Sequence, residues 1–253
     1  MSPQTAIKEK DTADTSKTDK LMPQLVAMLE AGVHFGHERS KRNPKMEPYI
    51  FMQRNRVAII DLEQTRAQLD TAAKYIYQLA SIPSNEILFV GTKRQARPIV
   101  RKFAEATGQP YVTRRWLGGT LTNFSTILKS IEKLEELKRL EESEQAAKLT
   151  KKARAVQRKE IERLEEVLEG IKDMRTLPAA LFLASAHNER IAVREAKRMG
   201  IPVIAIVDTN ADPSSVDYPI SANDDALRSV DMIVSVVAGA IAAAREIDLS
   251  ATK

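Results

Sequence analysis

Two histidines and a group of acidic residues are the side chains whose spacing in this sequence could support metal chemistry. His34 and His37 stand three residues apart, which supplies half of a metal site, but no carboxylate or third histidine nearby in sequence completes it. Asp208, Asn210 and Asp212 carry oxygen ligands suited to Mg²⁺, although such residues before a proline are more typical of a turn. Cysteine is absent, which excludes cysteine-bound zinc. We therefore predict no metal and no other cofactor.

Nucleophilic and phosphate chemistry have weak support in the sequence. His187 stands beside Asn188 and Glu189 at a predicted helix start, without a serine in a recognisable nucleophile elbow. Gly91-Thr92-Lys93 follows a predicted strand, but its spacing is not that of a P-loop. Gly118-Gly119-Thr120 precedes a predicted helix, where backbone N–H groups could hold an anion, although two adjacent glycines are more often a tight turn. We predict no catalytic residue and no small-molecule substrate.

Positive charge is concentrated in two windows of the chain. The 253 residues carry a net charge of +5, yet residues 34–56 alone hold +4 and residues 91–115 hold +6, so the remainder sums to −5. Localised cations of this kind predict contact with a polyanion, and the alternative is a solvated face without a partner. The cations that we predict to bind RNA are Arg39, Lys41, Arg42, Lys45, Arg54, Arg56, Lys93, Arg94, Arg114 and Arg115.

Aromatic side chains lie within the first of these windows. Tyr49 and Phe51 alternate with short residues, and Phe35 is close to them in sequence. Such aromatics could stack on nucleic-acid bases, but more often they pack a loop onto the core. We expect the second arrangement.

The elements that must position these residues alternate between strands and helices. Short, almost continuous apolar runs separated by helical patterns indicate strands buried on both faces, as in a parallel sheet with right-handed crossovers. We predict a doubly wound α/β fold, with a parallel sheet flanked by helices. The predicted strands are 57–60, 87–90, 111–112, 180–183, 203–207 and 218–220, and the helices include 62–81, 188–199 and one starting near Asn223.

One segment departs from this alternation. Residues 126–172 hold 12 Lys or Arg and 11 Asp or Glu, with apolar residues at steps of three and four, and the apolar pattern is interrupted at 141–148. This pattern predicts an inserted antiparallel coiled-coil hairpin that projects roughly 30 Å and docks on a partner. The side chains predicted to dock are Ile127, Ile131, Leu134, Leu164, Leu168 and Ile171.

Four regions follow from this reading of the chain. We predict a disordered N-terminal tail at 1–20, an α/β core formed by 21–125 and 173–247, the hairpin at 126–172 and a C-terminal tail at 248–253. The longest apolar stretch, at 232–244, is short of the roughly 20 residues that a bilayer requires, and no secretory signal opens the chain. We expect a cytoplasmic protein without a membrane partner.

Several motifs, met in one order along the chain, resemble the bacterial small-subunit ribosomal protein S2 family. They include GVHFGH at 32–37, NPKM at 43–46, IDLEQT at 60–65, RWLGGTLTNF at 115–124 and the segment 200–213. The likeness extends over roughly 25–244. It departs from the family pattern in the loops at 184–187 and 221–224.

This resemblance implies a flavodoxin-like core and a structural, non-catalytic role in the small ribosomal subunit. The implied partners are small-subunit ribosomal RNA, neighbouring ribosomal proteins and a large multi-domain ribosomal protein that captures messenger RNA. Two alternatives rest on the residues alone. One is a nucleotide- or phosphate-binding α/β enzyme, and the other is an interaction module of a non-ribosomal complex.

Overall fold

Two β-sheets are present in the computed structural model, which describes residues 16–142 and 150–249. The strands are β1 (Phe35–Glu38), β2 (Ile50–Arg54), β3 (Val57–Ile60), β4 (Ile87–Val90), β5 (Tyr111–Val112), β6 (Ala180–Leu183), β7 (Val203–Val207) and β8 (Tyr218–Ser221). Strands β5-β4-β6-β7-β8, in that order, form one sheet in which all neighbours are parallel. The predicted parallel sheet is confirmed.

The strand order places the ligand crevice expected for this fold. Counted from β4 along the chain, the parallel strands are arranged 2-1-3-4-5, the flavodoxin-like order. The order reverses between β4 and β6, and ligands of such sheets bind beyond the carboxyl ends of the strands at this reversal. The loops that begin at Gly91 and Ala184 therefore border the crevice.

Helices cover both faces of the parallel sheet. They are α1 (Ser16–Asp19), α2 (Leu25–Glu30), α3 (Leu62–Ala80), α4 (Ala96–Ala106), α5 (Phe124–Glu142), α6 (Lys151–Leu168), α7 (Arg190–Met199) and α8 (Leu227–Arg245), with short 3₁₀ turns at Arg39–Lys41, Pro44–Tyr49, Glu169–Ile171 and Pro213–Ser215. Buried residues of α3, α4 and α8 share one hydrophobic cluster with one face of the sheet, and those of α5, α6 and α7 share a second cluster with the other face.

Helix α8 lies in the core. By length and composition it could cross a membrane, since its mean hydropathy is 1.7 over 18 residues, a stretch longer than the predicted 232–244. Val230, Ile233, Val237 and Ile241 are fully buried within the first hydrophobic cluster. Its apolar composition is therefore that of a core helix. It begins at Leu227, four residues later than predicted, because the Asn223 side chain accepts the N–H groups of the next turn.

The prediction that 57–60 belongs to the parallel sheet is wrong. This segment is β3, the central strand of a three-stranded antiparallel sheet with the order β1-β3-β2. Strands β2 and β3 are joined by a two-residue turn in which Asn55 and Arg56 have positive φ values of 49° and 67°. Such a turn pairs neighbouring segments directly, so no helix crosses over between them.

The predicted hairpin segment forms two helices that contact each other. Lys133 Nζ lies 3.3 Å from Glu160 Oε1, and Gln157 Nε2 donates to the carbonyl of Leu137. The predicted turn at 141–148 lies almost entirely outside the described residues, and the coiled-coil geometry stays a prediction.

The docking role predicted for the apolar side chains of this segment needs correction. Ile131, Leu168 and Ile171 are at most 2% exposed, Ile127 and Leu134 are also buried, and Leu164 is partly buried. They belong to the second hydrophobic cluster, together with sheet residues such as Leu88 and Leu181. Because Ile127, Ile131, Leu134, Leu168 and Ile171 are covered by the chain itself, they offer no surface to a partner, and Leu164 offers only a part of its surface.

The predicted N-terminal tail extends too far into the chain. Ser16–Asp19 form α1, Thr18 is buried and the Asp19 carboxylate lies 3.5 Å from Lys74 Nζ. In the predicted C-terminal tail at 248–253, Leu249 packs against the first hydrophobic cluster. Residues 1–15 and 250–253 of the two predicted tails lie outside the described residues.

Candidate functional site

A lysine of the chain occupies the crevice at the strand reversal. Lys93, in the loop after β4, places Nζ 2.7 Å from Asp224 Oδ1 and 2.9 Å from Asp225 Oδ1. Ser185, in the loop after β6, donates its hydroxyl to the other Asp224 oxygen at 2.5 Å. The Asp224 side chain is 1% exposed, so this pair lies largely out of water.

The surroundings of Asp224 disfavour the charged form of its carboxyl group. Burial and the nearby Asp208 carboxylate raise its pKa to about 6, against the attraction of Lys93. Burial lowers the pKa of Lys93, but the carboxylates of Asp224 and Asp225 outweigh this effect and raise it. The ammonium group is therefore charged at neutral pH and neutralises the acids beside it.

His37 contacts the same acidic group. Its Nδ1 lies 3.1 Å from Asp208 Oδ1, and its Nε2 lies 3.3 Å from Asp225 Oδ2. The hydrogen bond to Asp208 raises the pKa of His37, although burial opposes this shift. Ligand atoms of His37, Asp208 and Asp224 lie within 4.8 Å of one another, a set that could hold a divalent cation.

This arrangement groups the candidate metal ligands differently from the sequence, and the absence of a metal stays a prediction. The carboxylates near His37 come from loops about 170 and 190 residues away in sequence, so no local spacing could reveal them. His34 is not part of the set found among the described residues, and its ring packs 4.0 Å from that of Phe35. Asp212 does not join Asp208 either, because its carboxylate pairs with Lys45 at 2.7 Å.

The loop at Gly91-Thr92-Lys93 is filled by a carboxylate. Glu189, just before α7, accepts the Thr92 backbone N–H at 2.9 Å and the Thr92 hydroxyl at 2.6 Å. Asn188 also donates to the Thr92 hydroxyl oxygen at 2.7 Å. The donors of Thr92 that a phosphate would need are therefore already engaged.

The turn at Gly118-Gly119 holds a second internal anion. Glu195 of α7 accepts the backbone N–H groups of Gly119, Leu121 and Thr122 at 2.8, 3.0 and 3.2 Å, and the Trp116 indole N–H at 3.1 Å. Burial alone would raise the pKa of Glu195, but these donors hold it below its ordinary value. A positive φ of 90° at Gly119 gives the turn its shape.

Sequence reasoning named Glu189 but missed its contact with Thr92, and it missed Glu195 altogether, although a signal for Glu195 was present. Within α7 it stands beside the buried residues Ala192, Val193 and Ala196, at helical spacing. An acid on the apolar face of a helix indicates a buried carboxylate with a defined set of donors.

The predicted RNA-binding cations fall into two groups. Arg42 pairs with Glu47 at 2.5 Å, Lys45 pairs with Asp212, Arg114 lies 3.4 Å from a carboxylate oxygen of Glu166, and Lys93 is bound in the crevice. The others are exposed and have no carboxylate within 4 Å in the described parts of the chain; they are Arg39, Lys41, Arg54, Arg56, Arg94 and Arg115.

Four of these unpaired cations gather at one end of the three-stranded sheet. The Arg39 N–H donates to the Arg56 carbonyl at 2.9 Å, and Arg54 stands opposite Val57 in the β2–β3 register. Lys41 ends the 3₁₀ turn that starts at Arg39. The sheet end, defined as Arg39, Lys41, Arg54 and Arg56, is therefore a compact basic surface.

Next to the sheet end lies an exposed apolar surface. Phe35 and Met52 both pair with Ile59 in the strand register, so the three side chains share one sheet face. Phe35 is 50% exposed and Met52 is 49% exposed. Phe51 is 72% exposed, because a register shift between Ile50 and Met52 turns it away from the core. Of the three aromatics expected to pack onto the core, Tyr49 does so, whereas Phe35 and Phe51 are exposed.

Comparison with known proteins agrees with this picture of a scaffold with basic loops. A family model described as ribosomal protein S2 matches residues 28–244. The small ribosomal subunit protein uS2 of Chlorobaculum tepidum is 50% identical over 226 residues, 89% of this chain and 90% of that protein. The protein of the same name from Coprothermobacter proteolyticus is 49% identical over 222 residues, 88% and 82% of the two chains. The chain belongs to the ribosomal protein S2 family.

Proposed function

We propose that this chain, a structural and non-enzymatic ribosomal protein, binds small-subunit ribosomal RNA through its exposed cations. The observation that carries the proposal is the sheet end, where four cations lie together without a carboxylate partner among the described residues. Phosphate contacts of this kind position a protein on RNA without reading its sequence. Arg94 and Arg115 extend the same role to the second basic window.

The cations that pair with carboxylates of the chain are proposed to contribute less to RNA binding. Arg42, Lys45, Lys93 and Arg114 each contact an internal carboxylate, so RNA must compete with that partner for their charge. Lys93 is the most enclosed of them, and we assign it to holding the strand-end loops together. Arg42, Lys45 and Arg114 are proposed as weaker phosphate contacts than the sheet end.

The alternative of a nucleotide-binding enzyme has less support. Both loops that could accept a phosphate bind carboxylates of the chain, from Glu189 and Glu195. The crevice at the strand reversal is occupied by Lys93 and His37. A nucleotide would have to displace several internal hydrogen bonds that are already satisfied.

We also propose that the apolar surface formed by Phe35, Phe51 and Met52 receives a neighbouring protein of the small subunit. Exposed apolar patches of this kind mark protein interfaces, and bulky aromatics anchor them. The multi-domain ribosomal protein that captures messenger RNA is our candidate for this surface. The assembly takes place in the cytoplasm, where bacterial ribosomes work.

Two assays test the two parts of the proposal: binding to deproteinised small-subunit RNA, and reconstitution with small subunits that lack this protein. The Arg54→Gln/Arg56→Gln variant should bind deproteinised small-subunit RNA less tightly, with a salt dependence of log K reduced by about 2. The control Lys20→Gln/Arg66→Gln removes the same charge from exposed positions elsewhere and should behave like the unmodified chain. RNA binding unaffected by both variants would refute the proposal.

Phe51→Ala tests the protein-docking surface in the same system. Because the side chain is 72% exposed, its loss should leave RNA binding intact and reduce the retention of a neighbouring protein on the reconstituted subunit. Subunits that keep their full protein complement with this variant would remove the apolar surface from the proposal.

A further inference from the structure

The outer face of α7 carries a third group of cations that lies outside both basic windows. Buried residues of this helix lie on one side and exposed residues on the other, apart from Met199 in the last turn, which is exposed on the buried side. At 100° per residue, the exposed cations fall within an arc of about 100°. They are Arg190, Arg194, Lys197 and Arg198.

This charge pattern is unfavourable for the helix by itself. Arg190 and Arg194, and again Arg194 and Arg198, are like charges four residues apart, which destabilise a helix. Glu195, the one acid within α7, is turned inward toward the Gly118-Gly119 turn and does not offset them. In the described parts of the chain, Arg190, Arg194 and Arg198 take part in no ion pair. A bound polyanion would relieve the repulsion.

The ends of α7 lie beside the two basic windows. At its start, Glu189 holds Thr92, which is followed by Lys93 and Arg94 of the second window. At its end, Lys197 Nζ donates to the Ser214 carbonyl at 3.3 Å. The Ser214 hydroxyl accepts from Lys45 Nζ, a residue of the first window, at 2.8 Å. The helix therefore connects the two windows across the surface.

We infer that the outer face of α7 binds RNA phosphates and joins the two basic windows into one continuous RNA-binding band. This inference rests on the proposed RNA-binding function and adds a surface to it. RNA is favoured over a protein partner because the two exposed large apolar side chains of α7, Ile191 and Met199, lie about 20° and about 100° beyond the edge of the cationic arc. A protein interface would require a larger apolar centre.

The test compares two charge-matched double variants of the full chain. Arg190→Gln/Arg194→Gln removes two cations from the α7 face, and Lys20→Gln/Arg66→Gln removes two elsewhere. Filter binding to deproteinised small-subunit ribosomal RNA is measured between 50 and 300 mM salt. The α7 variant should bind several-fold more weakly at 100 mM salt, with the slope of log K against log salt reduced by about 2. The control should match the unmodified chain.

Folding is checked by thermal unfolding of both variants. The α7 variant should unfold at the same temperature as the unmodified chain or slightly higher, since the repulsion between Arg190 and Arg194 is removed. An unfolding temperature that is unchanged or higher would show that a weaker affinity does not come from loss of structure.

The remaining outcomes are distinguishable. An α7 variant that binds like the control, while Arg54→Gln/Arg56→Gln binds weakly, overturns the inference and leaves the proposed function in place. If neither cationic group affects binding, the proposed function itself fails. An α7 variant with unchanged RNA affinity that no longer joins the small subunit would show that this face contacts a protein, which also overturns the inference.

Discussion

The carboxylate of Glu195 accepts the backbone N–H of Gly119 at a distance of 2.8 Å. The anion that this glycine turn binds is therefore a side chain of the protein. The same holds at Thr92, whose N–H is engaged by Glu189. In a sheet of this topology, loops of this kind commonly hold a cofactor phosphate. Here the two loops bind carboxylates of Glu189 and Glu195 instead, and these contacts attach helix α7 to the loops.

Replacing Glu195 by Gln should destabilise the protein by about 2–4 kcal/mol. The amide NH₂ group would face backbone N–H donors in place of a carboxylate oxygen, which leaves buried donors without an acceptor. Urea unfolding followed by circular dichroism measures the effect. Glu162→Gln, at an exposed position of α6, is the control and should change stability by less than about 0.5 kcal/mol. Equal stabilities of the two variants would contradict this role of Glu195.

Asp224→Asn should change how stability depends on pH. The pKa of Asp224 is about 6 in the folded protein and about 3.9 when unfolded, so the folded state binds the proton more tightly. Acidification from pH 7 to 4.5 should therefore stabilise the unmodified chain relative to the variant, by about 1–3 kcal/mol. Urea unfolding at both pH values measures this difference. A difference that stays constant with pH would show that Asp224 titrates normally.

His37 adds a pH dependence of the same sign. Its hydrogen bond to Asp208 raises its pKa above the ordinary value near 6.5. The stability that it contributes is complete below pH 6.5 and is lost as the pH rises through the raised pKa. His37→Gln should therefore lose less stability than the unmodified chain between pH 6 and pH 8, as measured by thermal unfolding. The opposite order would contradict a protonated His37.

Gly170→Ala should destabilise the protein by about 2–3 kcal/mol. A Cβ at this position would collide with the backbone carbonyl and the ring of Tyr111, so strand β5 and the 3₁₀ turn at Glu169–Ile171 would have to separate. Gly118→Ala is the matched control, because a Cβ there meets no atom within 4 Å. Both are compared by their unfolding midpoints in urea. A tolerated Gly170→Ala would mean that this close approach does not exist in solution.

Residues 138–156 of the predicted hairpin should be removable without loss of the fold, whereas removal of the whole of 127–171 should not be tolerated. Its inner residues, among them Ile131 and Leu168, cover one face of the parallel sheet, and each large buried side chain contributes about 1.5–3 kcal/mol. A chain in which a short glycine-serine linker replaces 138–156 should unfold cooperatively. Removal of 127–171 should abolish cooperative unfolding, because the loss exceeds the usual net stability of a domain. Calorimetry distinguishes the two results, and a cooperative transition in the larger deletion would contradict the shared core.

Much of the fold follows from local patterns in the sequence. The runs Ile87–Val90 and Val203–Val207 are fully buried strands, as their unbroken apolar character predicts. The run Val57–Ile60 has the same local character, yet it lies in the smaller sheet. The turn at Asn55 and Arg56 pairs this strand with β2, and the turn contains none of the glycines that usually mark such turns.

The site was less accessible to sequence reasoning because its contacts join distant residues. Lys93 and Asp224 are 131 positions apart, and Thr92 and Glu189 are 97 apart. The composition of the basic windows predicted an RNA-binding surface, but it could not show which cations are free to bind. Arg54 is exposed and unpaired among the described residues, whereas Lys45 pairs with Asp212. That separation depends on where loops meet in space.

The salt dependence of RNA binding tests the central claim most directly. The affinity of the purified full-length chain for deproteinised small-subunit ribosomal RNA is measured from 50 to 200 mM salt. With six or more cations on phosphates, the affinity should fall on the order of 10³-fold across this range, with log K linear in log salt. An affinity that stays the same across these salt concentrations would contradict a protein held on RNA by its arginines and lysines.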